Sequence, residues 1–73
     1  MQTPTATAAM MRDYAAAART AKSGKHRGYT AEHAERVAAF YDRLAAATTA
    51  AEVEAIRAEM RRTDCKTGKS IHA

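Results

Sequence analysis

The sequence predicts an all-α protein: a small three-helix bundle running up-down-up, followed by a flexible basic C-terminal tail. Three observations lead there. Apolar residues recur at helical spacing in three separate segments. Threonines suited to capping stand before each segment, at Thr3 or Thr5, Thr30 and Thr49. The breaks between segments are short, at Ser23-Gly24 to Gly28 and at Thr48-Thr49. No segment reads as a strand.

The first helix is expected over about 4–22. Pro4 suits its first turn, and Met10, Tyr14, Ala17, Ala18 and Ala21 form its apolar stripe. Met10 and Met11 point about a quarter-turn apart, so one of them is exposed. An exposed Met11 beside Tyr14 would offer a contact to a partner helix. Gly24 is the expected left-handed cap at the end of this helix.

The second helix is expected over 31–47. Glu32 and Glu35 lie near its positive end, Ala34, Val37, Phe40, Tyr41 and Leu44 face inward, and Arg36 and Arg43 face away. Phe40 and Tyr41 are adjacent, so Phe40 is assigned to the core and Tyr41 to its edge. The third helix, over 50–62, opens on the capping box Thr49-Ala50-Ala51-Glu52 and buries Val53, Ile56 and Met60. The connection of about two residues makes the second and third helices an antiparallel hairpin, with the first helix packed across it. An alternative fold leaves the first helix loosely attached and forms a homodimer through the alanine faces. Residues 1–63 thus form the domain and residues 64–73 the flexible tail.

Length and composition narrow the function. Seventy-three residues, rich in alanine and poor in large apolar side chains, close a thin core and cannot surround an ordinary substrate pocket. One cysteine excludes an internal disulfide and suits a reducing, cytoplasmic setting. Charges interrupt every apolar run, so no membrane partner is expected. The net charge is +4 and is unevenly placed. Residues 19–27 carry four cations and no acid, and residues 57–73 are also basic, whereas 28–56 are acidic. Three antiparallel helices would bring the two basic segments to one pole.

Candidate chemistry is thin. Thr67-Gly68-Lys69-Ser70 matches the end of a phosphate-binding loop, but Thr63 stands where its first glycine belongs. His26, His33, Cys65 and His72 offer zinc-ligand types at spacings wider than zinc modules use, so no metal is assigned. Cys65 lacks a fixed base, although its basic neighbours would lower its thiol pKa. A helix-turn-helix reader is disfavoured because Glu52 and Glu54 would face the phosphates.

The expectation is therefore a non-enzymatic regulator or adaptor without a cofactor. Its partner would be a larger protein or nucleoprotein complex with an acidic surface, such as a polymerase or nuclease complex. The alternative is direct, largely non-specific binding of DNA or RNA. The candidate partner-binding residues are Lys22, Lys25, His26, Arg27, Tyr29, Arg61, Arg62, Lys66 and Lys69. In the nucleic-acid reading, Tyr29 or His26 would stack on a base.

Overall fold

The structure is a computed structural model, and it describes residues 2–71. It is mostly helical, with helices α1 (Pro4–Thr20), α2 (Ala31–Ala46) and α3 (Ala50–Arg61). The caps are local and act as read. Thr3, Thr30 and Thr49 accept from the backbone N–H groups of Ala6, His33 and Glu52, each at 3.1 Å. Pro4 occupies the first turn of α1. The Glu52 carboxylate accepts from the hydroxyls of both Thr48 and Thr49, which ties down the start of α3.

Helix α1 ends slightly earlier than expected. Ala21 leaves the helix in an extended conformation while its N–H reaches Ala17 and Ala18. Gly24 does adopt a positive φ of 72°, but it shapes the next turn rather than capping the helix.

Two short antiparallel ladders replace irregular backbone. Strands β1 (Lys25–His26) and β2 (Tyr29–Thr30) pair Lys25 with Thr30 and His26 with Tyr29. Strands β3 (Thr63–Asp64) and β4 (Lys69–Ser70) pair Thr63 with Ser70 and Asp64 with Lys69. The second ladder corrects the expectation of a flexible tail, as far as Ile71. Its closing bond runs from the Ile71 N–H to the Arg62 carbonyl at 2.6 Å. The remainder of the expected tail, including His72, lies outside the described residues.

The packing also differs from a closed bundle. The extensive helix–helix interface joins α1 to α2, α3 touches α2 more lightly, and α1 and α3 share no substantial contact. The α1–α2 seam buries Ala8, Met11, Ala15 and Ala18 against Ala31, Ala34 and Ala38. Their spacing of three and four residues is that of a two-helix seam. Small side chains let the axes approach toward the lower end of the usual range, about 8–10 Å. The alanine faces that the alternative fold used for dimerisation are thus consumed within the chain. Met11 is only 3% exposed, so it serves this seam and is not the exposed residue anticipated beside Tyr14. Met10 is the half-buried member of the pair.

A second cluster of Phe40, Leu44 and Ile56 fastens α3 to α2, with Val53, Met60 and Cys65 around it. On α2, this cluster lies about a third of a turn from the alanine seam. Tyr41 touches both clusters, as an edge residue would. Ion pairs lie across both interfaces, Arg12 with Asp42 between α1 and α2, and Arg43 with Glu59 between α2 and α3 at 2.7 Å. All four side chains are about half exposed, so the pairs add orientation more than stability. The hydrogen bond from the partner arginine holds each carboxyl below its ordinary pKa, with burial opposing it.

Candidate docking surface

The first hairpin turns in two residues. Arg27 and Gly28 have φ of 51° and 83°, the pattern of a tight turn whose twist matches its strands. Glycine takes this conformation freely, but arginine rarely does, so the sequence sets a cation at the tip against its backbone preference. Ser23 supports the approach, its hydroxyl accepting from the Lys25 N–H and donating to the Lys25 carbonyl, both at 3.3 Å.

Aromatic contacts hold this hairpin on the helices. The His26 ring meets Tyr14 edge-on at 5.2 Å, and Tyr29 lies 5.9 Å from Tyr14 and 4.4 Å from His33. The Arg27 guanidinium stands over the Tyr14 ring at 5.8 Å. His26 and Tyr29 are half-buried, with their rings against neighbouring aromatics.

The second hairpin is held by a residue that sequence reading set in solvent. One terminal nitrogen of Arg36 (Nη1) donates to the carbonyls of Cys65 at 3.3 Å and Lys66 at 3.0 Å. Its guanidinium also packs against Gly68, where an added Cβ would lie 2.8 Å from Nε. Gly68 itself has φ of 77°. Asp64 organises the loop: its carboxylate accepts from the Lys66 N–H, and its carbonyl accepts from the Thr67 and Gly68 N–H groups. The Lys69 N–H donates to the Thr67 hydroxyl. The loop amides are thus turned inward, and Thr67-Gly68-Lys69-Ser70 presents no cradle of free N–H groups to a phosphate.

His33 packs at a tilt against Tyr29 of the first hairpin, and Arg36, one turn along α2, holds the second. Burial lowers the His33 pKa below the ordinary histidine value, Lys66 lowers it further, Asp64 opposes, and Arg36 adds a smaller lowering. Lys25, His26, Arg27 and Tyr29 thus share one hairpin, Lys66 and Lys69 share the other, and both are fastened to the first half of α2. Lys22 lies in the turn leading into the first hairpin, and Arg62 in the step from α3 into the second. Arg61 does not join them. It borders a hollow with Tyr41, Leu44, Arg57 and Met60 and reaches Glu54 at 3.7 Å.

The ion pairs among the described residues are those of Arg12, Arg43 and Arg61. Lys22, Lys25, Arg27, Arg62, Lys66 and Lys69 are exposed and have no carboxylate within salt-bridge distance among these residues. Cys65 is half-buried against the second apolar cluster. Burial raises its thiol pKa, Asp64 adds to the rise, and Arg36 opposes it. This reverses the expectation of a thiol activated by basic neighbours. Among the described residues, no three metal-ligating side chains gather, and no helix is long and apolar enough to cross a membrane. Arg36 and His33 are the contributors that the docking reading missed, because their partners lie in another part of the chain.

No protein-family model, curated protein or solved structure matches this chain.

Proposed function

We propose that this chain is a small non-enzymatic adaptor or regulator that docks its basic hairpin face on an acidic surface of a larger protein or nucleoprotein complex. A polymerase or nuclease complex is the kind of assembly that offers such a surface. The observation carrying this reading is a pair of cation-bearing hairpins fastened to the first half of α2, whose cations have no acid partners among the described residues. Lys25 and Arg27 come from one hairpin, and Lys66 and Lys69 from the other. Lys22 and Arg62 extend the same basic region. Collecting like charges opposes compaction, so an acidic partner would relieve an existing repulsion.

The hairpins also shape the energetics. A tail that ordered on binding would lose affinity to ordering entropy, whereas a preformed loop held by Arg36 loses less. Direct nucleic-acid binding is the second reading, supported by the placement of lysines at loop positions where phosphates can approach. The mutual contacts of Tyr14, Tyr29 and His33 favour the protein partner, since rings engaged with one another offer less surface for the base stacking that single strands use. The lone thiol supports a cytoplasmic setting.

The test is capture from host lysate, with and without nuclease, using the wild type and two charge-reversed variants. These are Lys25→Glu with Arg27→Glu, and Lys66→Glu with Lys69→Glu. The expected result is a protein partner that survives nuclease and is lost in both variants while their helical circular dichroism is unchanged. Partners lost on nuclease treatment would instead select the nucleic-acid reading. Retention by both variants would end the hairpin-face proposal.

A further inference from the structure

We propose that the groove along α2 and α3, which ends at the start of α1, is a second docking site, which takes an acidic amphipathic helix from a partner protein. It is separate from the hairpin face and does not depend on it. The groove exists because α1 and α3 pack on different sides of α2 without closing on each other. Tyr41 and Leu44 of α2 form its floor. Two adjoining hollows of about 230 and 240 Å³ share those two residues and Arg57. One extends along Met60 and Arg61, and the other along Val53 to Pro4 at the start of α1.

The lining selects the occupant. The floor and much of the walls are apolar, which suits a helix presenting residues at i, i+3, i+4 and i+7. The α3 residues that line it run from Val53 to Arg61, a wall of about 12 Å, long enough for about two turns of a partner helix. The charged residues lining it are Arg57 and Arg61, with Glu54 beside Arg61. Arg57 has no ion pair among the described residues, and Arg61 has only the loose contact with Glu54. That contact, between side chains 65% and 71% exposed, gives way readily to an incoming carboxylate. Glutamates flanking the apolar stripe of the partner helix would meet these arginines. A second copy of this chain fits less well. A two-fold contact across the groove would set Arg57 and Arg61 against the same residues of the other copy. A nucleic acid leaves the apolar floor unused.

The probe is a synthetic helical peptide of about 14 residues with leucines at i, i+3, i+4 and i+7 and glutamates at the flanking positions. Binding is followed by methyl NMR of Leu44, Val53 and Met60 and by fluorescence anisotropy. The expected result is saturable shifts of those methyls, with at least about tenfold weaker binding in Arg57→Glu/Arg61→Glu. Arg57→Lys/Arg61→Lys should retain most of the affinity, and Lys25→Glu/Arg27→Glu should leave the groove shifts unchanged. Four results would each overturn the proposal. These are no saturable groove shift at millimolar peptide, shifts confined to the hairpins, equal binding of a lysine-flanked peptide, or self-association in sedimentation that buries the same methyls.

Discussion

Replacing Gly68 with alanine attacks the clasp that Arg36 makes on the second hairpin, and its cost separates into two parts. The first is conformational. Gly68 has φ of 77°, and a residue with a Cβ pays about 1–2 kcal/mol in that left-handed region. The second is steric. The new Cβ would stand 2.8 Å from Nε of Arg36 and 3.2 Å from its Cζ. The arginine is flexible and yields, but yielding pulls its Nη1 from the carbonyls of Cys65 and Lys66. Two hydrogen bonds at a partly wet site are together worth about 1 kcal/mol. The total is therefore about 2–3 kcal/mol.

Gly28 supplies the control. Its φ of 83° imposes the same conformational cost, but a Cβ there meets no atom within 4 Å. The difference of about 1 kcal/mol between Gly68→Ala and Gly28→Ala is roughly fivefold in a local opening constant. Native-state amide exchange reads it directly. The Gly68 and Ile71 N–H groups, bonded at 2.6 Å to Asp64 and Arg62, should lose that extra protection in Gly68→Ala. In an Arg36→Ala background the excess should vanish, leaving the conformational cost alone. Equal costs at the two glycines, or an excess that persists without Arg36, would refute the clasp.

Three other outcomes follow from the packing and electrostatics. Ala15→Leu should destabilise the chain by about 1–3 kcal/mol in urea unfolding, because Ala15 is fully buried in the α1–α2 seam; Ala16→Leu, on the exposed side of the same turn, should stay within about 0.5 kcal/mol. The lowered His33 pKa means the unfolded chain binds more protons between the folded-state value and about 6.5; this contribution to stability is full above that range and falls as pH drops through it, and a pH series of urea midpoints should show a slope that His33→Gln flattens. The raised Cys65 pKa predicts slower alkylation by iodoacetamide in the folded chain than in urea at the same pH, and a folded rate equal to the unfolded one would contradict it.

What the sequence disclosed depended on the range of the interaction. The threonine caps involve partners three residues away, so Thr30 and Thr49 are legible and the first is narrowed to Thr3 or Thr5. The phase of α1 was not legible. Ala15 to Ala18 put an apolar residue on every side of the helix, so spacing alone could not choose Met11 over Met10. The tight first hairpin carried a weak signal in Arg27-Gly28, obscured because arginine stands where asparagine or glycine is usual. Asp64 and Gly68 are turn residues that marked the second hairpin locally, but the arginine that holds it is about thirty residues away. Charge counting found Lys25, Arg27, Lys66 and Lys69, since composition reveals an imbalance whatever the backbone does.

Arg61 borders the hollow along α2 and α3, apart from the hairpin cations with which charge counting groups it. The same alanines explain both the lost phase and the open groove. An alanine face draws α1 close to α2, and the larger Phe40, Leu44 and Ile56 hold α3 on a different side of α2. A bundle with large residues on every helix would have closed α1 on α3 and covered Tyr41. Here the economy of the seam leaves Tyr41 and Leu44 between two helices, bordered by Arg57 and Arg61. Enlarging the seam should therefore alter the groove as well as stability. An Ala15→Leu chain that still folds should shift the Tyr41 and Leu44 resonances, although neither residue is substituted.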